Sequence, residues 1–127
     1  MSTQEQNIQI VREMMEGAGQ EPVMAKHLSE DVVLAVAPGM PYGGDYPGLQ
    51  GYRNIVGALM GSWSEIAFAP AEFAAVGDKV VAISRLTGKL PSGTAIDQPF
   101  VEIWEVKDGK IVHVTPFYYD TKAISEG

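Results

Sequence analysis

Apolar residues recur with the period of a helix in the first half of the chain and with that of a strand in the second. Ile8, Val11, Met15 and Ala18 fall on one stripe of an amphipathic helix, which Gly17 and Gly19 close. Glu21-Pro22 opens a second, short helix carrying Val23, Met24 and Leu28, with Pro in the first turn, where its missing N–H costs nothing. The β-branched run from Asp31 to Val36 predicts a buried strand. Between Gly39 and Gly51 stand five glycines with Pro41 and Pro47, which predicts a loop. The cleanest helical spacing follows, with Tyr52, Ile55, Val56, Leu59, Met60 and Trp63 on one face.

From Ser64 onward the pattern alternates. Strands are predicted at 64–75 (interrupted by Pro70), 79–90, 94–106 and 110–120. Gly77-Asp78, Ser92-Gly93 and Asp108-Gly109 separate them, and turns that short require antiparallel hairpins. Helices first and an antiparallel meander afterwards predict an α+β fold, with the helices packed on one face of a curved sheet. No repeat, low-complexity segment or linker divides the chain, so residues 1–127 read as a single domain.

Composition narrows the function. A net charge of −7 opposes attraction to phosphate backbones and anionic lipid, so neither nucleic acid nor a membrane is expected as a partner. The apolar runs are far too short for a membrane span. The N-terminal segment lacks a basic region, an apolar stretch and a cleavage site, so a cytoplasmic location is expected. The absence of cysteine excludes disulfides, thiolate metal sites and a thiol nucleophile. The histidines, His27 and His113, form no cluster with Asp or Glu at ligand spacing, so neither a metal nor a cofactor is expected.

The strand around Glu102 raises the sharpest chemical question. Alternation puts Phe100, Glu102, Trp104 and Val106 on one face and Val101, Ile103 and Glu105 on the other. Were the first face interior, Glu102 would be a carboxyl in apolar surroundings, held protonated by burial and able to donate a hydrogen bond. At a wet rim, or beside Arg85 of the neighbouring strand, it would be an ordinary carboxylate. Both faces are rich in apolar residues, and one small domain covers only one with its own helices. A homodimer through the sheet is therefore expected, with Val101 and Ile103 in the interface.

Three stretches carry a family resemblance: "LSEDVVLAV", "PYGGDYPGLQGYRNIV" and "FVEIWEVKDGKIVHVTPFYYDT". In this order and spacing the chain, over about residues 6 to 124, resembles the nuclear transport factor 2-like superfamily. Within it, the chain is most similar to the SnoaL-like (polyketide cyclase-like) and ketosteroid isomerase-like proteins. The resemblance implies a cone-shaped half-barrel, also called cystatin-like, in which a curved antiparallel sheet wraps N-terminal helices and leaves an apolar cavity. It implies that Glu102 matches a carboxylic acid that donates to a developing oxyanion. It also implies that Asp120 matches an acid/base aspartate of the cyclases, although Asp120 reads equally as an end cap taking backbone N–H bonds. Tyr42, Tyr46, Phe100, Trp104, Tyr118, Met60 and Trp63 are the expected ligand-binding residues, while Tyr42 and Tyr46 also read as cover for the core.

The resemblance does not hold at every position. No tyrosine precedes Tyr42, Val36 stands where a steroid isomerase has its base, and Phe100 stands where an epoxide hydrolase has an arginine. Two function classes follow. One is a cofactor-independent acid/base enzyme (isomerase, cyclase or lyase) acting on a small, largely apolar carbonyl compound. The other is a non-catalytic module that binds a small hydrophobic ligand.

Overall fold

Helix α1 (Thr3–Glu16) turns Asn7, Val11 and Met14 fully inward, with Ile8 and Met15 half-buried at the edges of that stripe. The computed structural model describes residues 3–17 and 19–127, so Ala18 of the predicted stripe lies outside the described residues. Helix α2 (Glu21–His27) follows, with proline in its first turn. Its last residue, His27, is buried with Nε2 3.4 Å from a Glu13 carboxylate oxygen. Burial lowers the His27 pKa, opposed in part by that carboxylate.

The chain continues through β1 (Leu28–Val36), β2 (Gly44–Pro47) and α3 (Gly48–Ser62), then β3 (Glu65–Phe68), β4 (Glu72–Val76), β5 (Lys79–Lys89), β6 (Ala95–Lys107), β7 (Lys110–Tyr118) and α4 (Thr121–Ser125). One seven-stranded sheet results, in the order β2-β1-β7-β6-β5-β3, with β4 also on β5. It curls as a half-barrel around the helices. The predicted 64–75 strand is two short ones, β3 and β4, which break at Ala69–Ala71 around Pro70 and pair with opposite ends of β5. Proline lacks the N–H a ladder needs, so the corner falls there. The β6–β7 turn places Asp108 at φ 51° and Gly109 at φ 76°. Such a pair of positive angles is what a two-residue hairpin requires, and Asp-Gly suits it.

Three features differ from the pattern in the sequence. The Gly/Pro-rich segment read as loop contains β2, whose Tyr46 and Gly44 pair with Leu34 and Val36 of β1. Its composition is poor for a strand, and the ladder offered by β1 decides the outcome. The sheet is not wholly antiparallel: β1 lies parallel to β7, with Val33 opposite His113 and Leu34 opposite Val114. That pairing joins the two halves of the chain and cannot be seen in any local window. Finally, α4 follows the last strand, with Ile124 buried.

The concave face of the sheet holds the core. Val32, Leu34 and Val36 of β1, Val80, Ala82 and Leu86 of β5, and Phe100, Trp104 and Val106 of β6 are all buried there. Among the described residues, no helix is long and apolar enough to cross a membrane.

Candidate functional site

The helices do not fill the half-barrel completely. A cavity of about 130 Å³ remains between α3, α1 and the concave face. Ile55, Val56 and Leu59 of α3, Met14 of α1, and Leu34 and Val36 of β1 make it apolar. Phe68, Phe100 and Trp104 add aromatic wall. Glu102, Tyr118 and Tyr52 are the lining residues whose side chains carry oxygen atoms.

Glu102 is, among the described residues, the only carboxyl lining the cavity. Its cross-strand neighbours are Ala82 on β5 and Pro116 on β7, neither of which can pair a carboxylate. Arg85, a cation on neighbouring β5, instead donates to Asp97 at 2.6 Å. Phe100 and Trp104 on either side are both 2% exposed. Glu102 itself is half-buried and lines the cavity. Burial disfavours the ionised form, so its pKa is pushed up from 4.5 to about 8. The same wall raises the phenols: Tyr52 and Tyr118 are lifted well above the ordinary tyrosine value, by burial first and by the nearness of Glu102 as well.

Tyr118 belongs to a chain of hydrogen bonds. The Trp63 indole N–H donates to the Tyr42 hydroxyl at 3.2 Å, and Tyr42 and Tyr118 join hydroxyl to hydroxyl at 2.9 Å. The Tyr46 hydroxyl donates to the Tyr42 carbonyl at 2.7 Å, fixing the backbone that carries Tyr42. Next to it, a Cβ on Gly43 would come within 2.4 Å of the Ala37 carbonyl oxygen, so the turn closes only with glycine there. Edge-to-face packing completes the cluster, with Tyr118 against Phe100 at 5.1 Å and against Tyr42 at 6.2 Å between ring centroids. The Trp104 indole N–H is buried without an acceptor among the described residues.

The residues singled out in the sequence therefore divide. Glu102, Phe100, Trp104 and Tyr118 line the cavity, and Tyr42, Trp63 and Tyr46 stand behind Tyr118 as its supports. Met60 lies elsewhere, 78% exposed on α3. Asp120 also lies elsewhere: it is the N-cap of α4, and Oδ1 accepts from the Ala123 N–H at 3.0 Å. Its main chain is clamped by buried Gln98, whose Oε1 accepts from the Asp120 N–H at 3.0 Å. Tyr52 was not among the expected site residues. The signal was a phenol heading the apolar face of α3, where its hydroxyl has to meet something polar. Among the described residues, no group of three His, Asp or Glu side chains could hold a metal ion.

The model of the SnoaL-like domain matches residues 11–114, and the chain belongs to that family. An NTF2-like protein of unknown function from Burkholderia pseudomallei is 26% identical, with a TM-score of 0.86 over 99% of this chain and 97% of that one. TerC, co-crystallised with polyporic acid, is 25% identical, with a TM-score of 0.84 over 95% of this chain and 96% of that one. A protein assigned as a SnoaL-like polyketide cyclase from Jannaschia sp. CCS1 is 22% identical, with a TM-score of 0.82 over 100% and 97% of the two chains, and shares the fold. No curated protein matches the chain by sequence.

Proposed function

We propose that this protein is a cofactor-independent acid/base enzyme of the SnoaL-like type, acting on a small, largely apolar carbonyl compound, with Glu102 as the proton carrier. The observation that carries this reading is a carboxyl that is, among the described residues, alone and unpaired in the lining of an apolar cavity, with its pKa near 8. A group that exchanges its proton close to the working pH is well matched to general acid/base catalysis. In its ionised form Glu102 takes a proton from the carbon next to the substrate carbonyl, and the C–H electron pair moves onto the carbonyl oxygen as an enolate. The neutral carboxyl then returns the proton to the same or a conjugated carbon. Such a cycle consumes no cofactor. The TerC complex with polyporic acid supports a small organic ligand for a pocket of this kind.

Hydrogen–deuterium exchange of a weakly acidic aryl ketone such as 2-tetralone, followed by NMR in D₂O, tests the reading. The wild type is expected to accelerate exchange at the α-carbon, and Glu102→Gln to lose about 100-fold or more of that acceleration. A ketone that binds the wild type without faster exchange would favour the second reading, a non-catalytic binding module. One feature favours that reading: Asp120, the other candidate carboxylate, is committed to its helix cap.

The proposal extends to a homodimer through the convex face. Ile83, Val101 and Phe117 form one cross-strand row there, with Ile83 49% and Phe117 50% exposed. A second copy of this sheet would remove that row from water. Light scattering at micromolar concentration is expected to give the dimer mass, and a monomer would contradict the proposal.

A further inference from the structure

The hydrogen-bond chain behind the cavity has a direction, set by its first member. The Trp63 indole N–H can only donate, and Tyr42 receives it. Tyr42 is 6% exposed, so leaving its own proton unspent would cost the full penalty of a buried unpaired donor. That proton is satisfied when it is given to Tyr118, 2.9 Å away. The reverse arrangement would spend the proton of Tyr118 and strand that of Tyr42. Tyr118 thus accepts from Tyr42 and, among the described residues, gives its own O–H to no acceptor, on a residue that lines the cavity.

We propose that Tyr118 is the donor that holds the ligand's oxygen, and that Tyr42 and Trp63 are positioning residues that aim and polarise its hydroxyl. The assignment rests on the acid/base reading of the cavity and supplies what that reading lacks, a group to receive the charge of the enolate. A hydroxyl that already accepts one hydrogen bond is a stronger donor for the next. Pre-aimed donors in a site closed to water are the most effective stabilisers of a developing oxyanion. Glu102 and Tyr118 leave neighbouring strands on one face, with Glu102 opposite Pro116 and Phe100 opposite Tyr118. One side chain can therefore work on the carbon while the other holds the oxygen of the same small molecule. No Lys, Arg or His lines the cavity among the described residues, so neutral donors have to do this. The ligand class that fits is a compact, flat compound bearing an enolisable ketone, with hydrogen-bond demand on one edge only.

Acetophenone and α-methylstyrene have nearly the same shape and differ in a C=O against a C=CH₂, so they isolate the donor. Each is to be titrated into the full-length protein by NMR, with the infrared carbonyl stretch of bound acetophenone as a second readout. The wild type is expected to prefer acetophenone and to shift its stretch to lower frequency. Tyr118→Phe should lose about tenfold in acetophenone affinity, keep α-methylstyrene affinity, and return the stretch to its value in an apolar solvent. Tyr42→Phe should lose about two- to threefold and give an intermediate stretch, which lost stability alone would not produce. If Tyr118→Phe keeps the shifted stretch, the assignment is overturned. If Glu102→Gln also abolishes that shift, the donor is Glu102 and the pocket reading survives. If neither probe binds the wild type, the pocket reading fails and the donor assignment with it.

Discussion

Glu102 and Asp120 are both carboxylates near the end of the chain, and the fold treats them in opposite ways. Glu102 sits mid-strand on the concave face, with aromatic residues on both sides and, among the described residues, no hydrogen-bond partner or cation paired with it. Asp120 sits where β7 has ended, exposed, with the Ala123 N–H donating to its carboxylate. The first is pushed toward its neutral form. The second is tied to a structural partner at the start of a helix. The lesson is that chemistry follows from what surrounds an ionisable group, and that a carboxylate engaged by a helix terminus is poorly placed to move protons in a cavity it does not line.

The comparison can be broken most sharply by exchanging which carboxylate is disabled. The fall of about 100-fold in ketone exchange belongs to Glu102→Gln alone. Asp120→Asn, which keeps the shape and the capping oxygen, is expected to leave exchange within about twofold of wild type, since Asn caps helices as well as Asp. A large loss in Asp120→Asn, measured with the same ketone, would return the acid/base role to Asp120.

The next largest effect is on stability. Glu102 holds its proton in the folded chain up to about pH 8, whereas its ordinary value is 4.5. The stability this confers is fully present below 4.5 and is lost as pH rises through about 8, because the unfolded chain releases a proton the folded one retains. Urea unfolding is expected to show the wild type losing on the order of a few kcal/mol over that window relative to Glu102→Gln, which has no proton to release. Parallel pH profiles for the two proteins would show that Glu102 is not held neutral.

The smallest effect belongs to the cap. Asp120→Ala removes the acceptor for the Ala123 N–H and is expected to cost about 1 kcal/mol in urea unfolding, with ketone exchange unchanged. A cost of several kcal/mol would mean that α4 and the Gln98 clamp hold more of the fold than one capped turn.

Much of this was legible in the sequence. The alternation around Glu102 identified its neighbours and its face, and the paired turn residues marked the hairpins. Those signals are local, and the side-chain period of a strand is short enough to read over five residues. Other features required contacts between distant segments. The parallel pairing of β1 with β7 and the ladder that makes a strand of Gly44–Pro47 depend on an edge supplied elsewhere. The Trp63–Tyr42–Tyr118 chain joins the end of a helix, a turn and the last strand, so no spacing announces it. Asp120 lies at a boundary between strand and helix, and a shift of two residues there changes a cavity residue into a cap. Arg85 was an available partner for Glu102 on strand proximity alone. Register decides otherwise, since Arg85 stands opposite Pro99 while Ala82 stands opposite Glu102.

The account depends most on the protonation of one side chain. Carboxyl-detected NMR of the selectively ¹³C-labelled glutamates, with Glu102 assigned through Glu102→Gln, follows that proton directly. The account predicts a Glu102 carboxyl that titrates near pH 8. A Glu102 carboxyl that titrates at or below 4.5, its ordinary value, would contradict it.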